Sequence, residues 1–152
     1  MADKTQEDPI VIASFALDVT GQNKFHSDFT SASGLDSTFA VIDGPKTLQG
    51  GKAVTHKIPG TRSTSDIVLS RPMTGDMSWW DWRQKLIEGG VAEGRGDGSI
   101  TVFGQDNAAL TKWDFFRGWP SKYEVGALSA SDNGVLLETI TITHEGLVRA
   151  AA

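Results

Sequence analysis

A chain of 152 residues, 39% hydrophobic and 22% charged, is long enough for one core and too apolar for disorder. Its net charge of −5 works against wrapping nucleic acid, which depends on Lys and Arg neutralising phosphates. With no cysteine, neither disulfides nor thiolate metal sites can hold the fold, so packing must.

Residues 1–9, M-A-D-K-T-Q-E-D-P, lack the apolar run and cleavage site of a secretory leader. No stretch approaches the roughly 20 apolar residues of a membrane-spanning helix. The expectation is a cytoplasmic protein with a flexible arm over 1–9 and one domain over 10–149. Ile10 to Val19 predicts a half-buried strand, with Val11, Ala13, Phe15, Leu17 and Val19 on one face. Turn chemistry at Thr20-Gly21-Gln22-Asn23 then leads to a second extended segment carrying Phe25 and Phe29, and the two segments predict a hairpin. Thr38 to Ile42 reads as a short strand. The stretch beyond it, through Gly50-Gly51, has no core-forming pattern and reads as an exposed loop or hairpin tip.

Ile58-Pro59-Gly60 and Pro72 to Asp76 read as breaks on either side of a strand at Ile67 to Arg71, because proline donates no ladder hydrogen bond. One helix is expected, Ser78 to about Glu88, with Ser78 and Asp81 at capping-box-like spacing. Its apolar stripe is Trp79, Trp82 and Leu86, widened by Trp80 and Ile87. Gly89-Gly90 ends it, and a glycine-rich loop follows. Ser99 to Gln105 and Thr111 to Gly118 predict a hairpin turning at Asp106-Asn107, with Trp113, Phe115 and Trp119 to one side and Pro120 as the stop. A last pair of segments turns at Asp132-Asn133-Gly134, and Asn-Gly favours such tight turns. Its return strand ends with Ile140 and Ile142 on a dry face and Thr139, Thr141 and Thr143 on a wet one. Many short strands with one helix indicate a mainly β fold, an antiparallel barrel or sandwich with one flanking helix.

Little in the sequence carries chemistry. Lys46 to Ala53 contains Gly51-Lys52 but has Lys46 in place of the first glycine and Ala53 in place of the hydroxyl residue of a phosphate loop. His26, His56 and His144 have no helical metal-ligand spacing. His144 and Glu145 point to opposite faces if they lie on a strand, so they cannot share a substrate. The acidic residues show no local pairing for glycosidic or other hydrolytic work. Exposed tryptophans could stack on sugars in a carbohydrate-binding sandwich, but Trp79, Trp82 and Trp113 fall at core periodicity. No catalytic, cofactor-binding or metal site is assigned. The core candidates are Phe15, Leu17, Leu69, Trp79, Trp82, Leu86, Trp113, Phe115, Ile140 and Ile142.

An ordered set of landmarks resembles the tail tube proteins of contractile phages and the inner tube proteins of extracellular contractile injection systems. It runs from Phe25 through Ser33-Gly34-Leu35 to Ile58-Pro59-Gly60, Ile67-Val68-Leu69-Ser70-Arg71 and Trp79 to Trp82. Trp113, Trp119-Pro120-Ser121-Lys122 and Ile142-Thr143-His144-Glu145-Gly146 complete it. The resemblance implies a barrel-like domain related to the haemolysin-coregulated tube protein, with six copies in a ring and rings stacked into a hollow tube. It also implies a sheath protein, baseplate and spike proteins as partners, effector proteins or DNA as cargo, no cofactor, and residence in a phage or injection particle. A tube initiator or a secreted ring-forming carrier would share these landmarks. Under this resemblance the coreless segment from Asp43 to Lys57 is the candidate for stacking, with Asp43, Gly44, Lys46, Gln49, Lys52 and His56 as its contact residues.

Overall fold

The computed structural model describes residues 10–12, 14–20, 29–130 and 134–151. The described residues form nine strands and two helices: β1 (Ser14–Val19), β2 (Ser31–Ser33), β3 (Thr38–Gln49), β4 (Lys52–Ser63), β5 (Ile67–Pro72), α1 (Ser78–Gly89), α2 (Val91–Gly94), β6 (Gly96–Phe103), β7 (Ala109–Val125), β8 (Leu137–Thr143) and β9 (Gly146–Ala150). Seven strands make one curled antiparallel sheet in the order β1-β6-β7-β8-β5-β2, with β9 also paired to β7. β3 and β4 pair only with each other, as a separate ribbon.

Period-2 alternation builds the core. Ile67 and Leu69 of β5, Ile140 and Ile142 of β8, Leu17 and Val19 of β1, and Ile100 of β6 share the buried face with Phe115. The tryptophans Trp79 and Trp82 of α1 close this face from above. Phe115 fits only because it lies between two glycines: a Cβ on Gly98 or Gly118 would come within 2.4 or 2.5 Å of its ring. α1 starts where Asp76 accepts hydrogen bonds from the Ser78 backbone N–H (3.0 Å) and the Ser78 hydroxyl (3.1 Å). Trp82 Nε1 donates to the Gly94 carbonyl at 2.9 Å, which ties α2 beneath α1.

Several elements differ from the sequence reading. β1 begins at Ser14; Ile10, Val11 and Ile12 are exposed and outside it. β1 pairs with β6 and β2 with β5, so the expected hairpin between the first two segments does not form among the described residues. Ala13, Gly21 to Asn23 and Phe25 lie outside those residues, as do the arm over 1–9 and the turn residues Asp132-Asn133. Ser78 is not the cap: Asp76, one residue before the N-cap position of Met77, takes that role. Trp80 and Ile87 are exposed and do not widen the buried stripe. The glycine-rich stretch after α1 is no loop, since Gly96 and Gly98 belong to β6.

Of the three prolines expected to break a strand, Pro72 ends β5, whereas Pro59 and Pro120 interrupt nothing. Pro59 lies within β4 and pairs with Val41, next to a bulge, and each strand of a two-stranded ribbon has a free edge that tolerates a missing N–H. Pro120 lies within β7. The strand leaves β6 at Gly118 and continues along β8 from Trp119 to Val125, with a register shift at Pro120/Lys122. Arg117, at φ 51°, marks the switch, and its N–H donates to Asp97 Oδ1 at 2.9 Å.

Candidate assembly surfaces

β3 and β4 each run for 12 residues and turn at Gly50-Gly51, so the expected loop is a long ribbon. Bulges interrupt it between Phe39 and Val41 and between Asp43 and Lys46, around Gly60 and Pro45. Among the described elements no other strand or helix packs against it beyond marginal contact. Its apolar residues are consequently in water: Phe39, Val41, Ile42, Leu48, Val54 and Ile58 are all exposed. Phe39, Ala40, Val41, Ile58 and Pro59 line an apolar groove of about 290 Å³. Toward the tip the surface becomes polar. Lys57 pairs with Asp43, and Thr47 Oγ1 meets His56 Nε2 at 3.0 Å.

Free sheet edges form a second kind of surface. Among the described residues, β1 and β2 have no neighbour on their outer sides, nor has the 119–125 half of β7 on the side that β6 leaves. Each row presents N–H and C=O groups that another chain could pair. Beside the β7 half lie the exposed apolar residues Val125, Leu128, Val135 and Leu137; Ile10 to Ile12 lead into β1.

A buried polar cluster holds the helix to the sheet. Arg71 Nε donates to Glu138, and both side chains are almost fully buried. The Tyr123 hydroxyl donates to the other oxygen of Glu138 at 2.6 Å. Arg71 Nη1 reaches Asp76 at 3.2 Å, and its guanidinium stacks 4.1 Å from the centre of the Trp79 ring. Desolvation, then hydrogen bonding to Glu138 and its charge, push the Tyr123 hydroxyl up to about 12. The Ser78 N–H, assisted by its hydroxyl and by Arg71, holds Asp76 below the usual carboxylate range despite partial desolvation. This cluster pairs its charged and polar groups among its own members. It fastens the first turn of α1 to β5, β7 and β8.

Residues 13–148 match the family described as T4-like virus tail tube protein gp19. The chain belongs to that tail tube family. Among solved structures, a chain of the sheath-tube complex of the extracellular contractile injection system PVC, in its extended state, superposes with a TM-score of 0.74. It has 21% identity over 97% of this chain and 95% of its own. A chain from the tube-terminating cap of the anti-feeding prophage gives a TM-score of 0.70 and 22% identity over 100% of both chains. Hcp1 from Flavobacterium johnsoniae gives 0.52 and 20% identity over 91% of this chain and 96% of its own. No curated protein sequence matches. At such identities the likenesses speak to the fold, a structural tube-protein fold.

Against this tail tube frame the sequence-predicted residues sort clearly. Asp43, Gly44, Lys46, Gln49, Lys52 and His56 all lie on the ribbon and, Gly44 apart, are exposed. Leu17, Leu69, Trp79, Trp82, Phe115, Ile140 and Ile142 are buried, and Phe15 and Trp113 pack partly buried against them. Leu86 is half-buried, its side chain covering Gly94. Trp79 and Trp82 are buried, in keeping with their core periodicity, so neither ring is free to stack on a sugar, and Trp80 packs edge-on against Tyr123. His144 Nε2 contacts the Ser65 carbonyl at 3.0 Å, and Glu145 pairs with Arg95 and Arg117; His26 lies outside the described residues. The sequence reading missed β9 and the Arg71–Glu138–Tyr123 cluster. A signal for the cluster existed: Arg71 extends the Ile67/Leu69 face and Glu138 the Ile140/Ile142 face, two opposite charges in core register on separate strands.

Proposed function

We propose that this tail tube protein is the inner-tube subunit of a contractile particle. Six copies close into a ring through their free sheet edges, and rings stack through the β3–β4 ribbon. The hollow stack lies inside a contractile sheath on a baseplate and conducts effector proteins or DNA. Assembly takes place in the cytoplasm, and the protein acts as a structural element and not as an enzyme. The observation that carries this reading is the ribbon, whose 12-residue strands expose Phe39, Val41, Ile42 and Ile58 to water. A self-sufficient monomer gains nothing from such a surface, whereas a heterologous contact that propagates along an axis needs one. Free edges supply the other requirement, a head-to-tail contact whose rotation closes.

The test replaces residues 44–56 with a short Gly-Ser turn in the full chain. Rings without tubes in negative-stain micrographs are the expected result, and unaltered tubes refute the stacking role. If the unmodified protein sediments as a lone compact species even when concentrated, ring closure itself is wrong. A second reading, a tube initiator or terminating subunit, draws on the likeness to the anti-feeding prophage cap over the whole of both chains. It predicts single rings that never stack without a partner protein. A secreted ring-forming carrier predicts the same rings free in the medium.

A further inference from the structure

The β3–β4 ribbon joins the body of the subunit through two short segments, residues 34–37 and 64–66, and no other described element touches it beyond marginal contact. Its direction is therefore decided at this root, where two of the landmark stretches, Ser33-Gly34-Leu35 and the one carrying His144, come together. Gly34 stands at φ 84°, and its backbone lies so close to that of Asp66 that a Cβ there would come within 1.9 Å of the Asp66 carbonyl oxygen. Leu35 packs partly buried against the core. Ser65 is gripped at both of its backbone groups: its N–H donates to Asp36 Oδ1 at 3.1 Å, and its carbonyl accepts from His144 Nε2 at 3.0 Å. Because a carbonyl only accepts, Nε2 is the nitrogen that carries the proton. Nδ1, on the other side of the ring, is buried with no hydrogen-bond partner among the described residues. A buried nitrogen left unpaired is costly, and a residue needed only for packing would avoid that cost as phenylalanine.

We infer that His144 is the positioning residue of the stacking element: together with Asp36 it locks Ser65 and so fixes the angle at which the ribbon leaves the subunit. The lock has a firm seat. The His144 ring lies 6.3 Å from that of the fully buried Phe115. Glu145, next in the chain, donates its N–H to the Phe116 carbonyl at 2.9 Å, and its carboxylate pairs with Arg95 at 3.0 Å and Arg117 at 3.2 Å. The turn between β8 and β9 is thereby pinned to β7 and to the end of α2, and the ribbon root is pinned to that turn. Small angles matter at such a root. Along an extended strand of 12 residues, about 40 Å long, a swing of about 10° carries the tip about 7 Å, more than the roughly 4.8 Å between paired strands. A ribbon free to swing would have to be ordered each time it docks, and that cost weakens the contact. The effect on stacking rests on the tube reading above, whereas the lock itself is a property of the single subunit.

The test has two arms on the full chain. In the first, nitroxides are placed at Gln49→Cys on the ribbon tip and Ile87→Cys on α1, in a chain with no other cysteine, and diluted in excess unlabelled protein so that each measured pair lies within one subunit. Double electron–electron resonance should give one narrow distance distribution. His144→Phe keeps the ring against Phe115 but removes the donor, and should at least double the width; His144→Gln restores a donor and should narrow it again. A distribution that stays narrow in His144→Phe overturns the lock, and should that variant not fold, Asp36→Ala, which frees the Ser65 N–H, decides in its place. In the second arm, unlabelled His144→Phe should form rings as the unmodified protein does but need at least a fivefold higher concentration to form tubes. A swinging ribbon that stacks at the unmodified concentration overturns the role in stacking. Failure of the unmodified protein to form rings would count against the tube reading, while the distance arm would still judge the lock by itself.

Discussion

The half-sheet around Ile140 and the ribbon at Ile42 are both antiparallel β structure, yet they spend their apolar residues in opposite ways. Ile140, Ile142, Ile67 and Leu69 are fully buried, whereas Ile42, Val41, Ile58 and Leu48 are in water. The first region completes itself: α1 covers its apolar face, and Arg71, Glu138 and Tyr123 satisfy one another within it. Among the described elements, none covers the second beyond marginal contact. The same residue types therefore do two jobs, stability inside one subunit and cohesion between subunits, and only the topology separates them. Substitutions in the two regions should accordingly fail in different assays.

The largest effect is expected at the buried pair. Removing one charge of a buried ion pair strands the other and costs about 3–5 kcal/mol. Arg71→Met or Glu138→Leu should each lower the urea midpoint sharply, and because Arg71 also holds Asp76 and Trp79, loss of near-ultraviolet signal from the tryptophans should accompany it. Exchange of both residues for apolar ones should recover much of the loss, since an apolar pair leaves no charge unpaired. A double variant as unstable as the single ones would mean that the cluster contributes through something other than its paired charge.

How much of this division could be read from the sequence depends on where the burial comes from. Leu69, Ile140 and Ile142 alternate with small polar residues, so their face was legible, as were the helix and the hairpin between 99 and 118. The ribbon was not. Pro45, Pro59, Gly44 and Gly60 interrupt its period, and with no core beneath it no alternation is imposed on the rest. β7 was truncated in the reading at Pro120, because proline is costly in a strand paired on both sides; after Gly118 β7 has only β8 beside it. Surfaces completed by another copy leave only a negative mark in the sequence, apolar residues without a periodic partner, and that is why the stacking candidates were located as a segment before they could be located as paired strands.

A pair of leucines sharpens the contrast at smaller energies. Leu69→Ala empties core volume and should cost about 2–5 kcal/mol in urea unfolding without a specific effect on tube length. Leu48, 79% exposed near the ribbon tip, should change subunit stability by no more than about 0.5 kcal/mol when replaced by Ala. Its effect should instead appear as shorter tubes or a higher concentration for assembly. Equal losses of stability at the two positions would mean that the ribbon is folded onto the body of the subunit in solution, and the distinction between the regions would collapse.

The smallest effect concerns the proton balance of the self-contained half. Burial and Glu138 raise the Tyr123 hydroxyl to about 12 from an ordinary 10.0, so the folded chain keeps a proton that the unfolded chain releases. The stabilisation this represents is fully present below pH 10 and is lost as pH climbs from 10 toward 12. Asp76 behaves in the opposite sense. Its carboxyl is held low by the Ser78 N–H, so its contribution is present above the ordinary value of 3.8 and disappears as pH falls through the lowered one. Tyr123→Phe should therefore flatten the alkaline limb of a stability-against-pH curve and leave the acid limb intact, and Asp76→Asn should do the reverse. Neither exchange should alter the pH dependence of ring stacking, because neither residue lies on the ribbon. A stacking profile that moved with Tyr123→Phe would show that the buried cluster communicates with the exposed strands, which the lack of more than marginal contact between β3 or β4 and any other described element argues against.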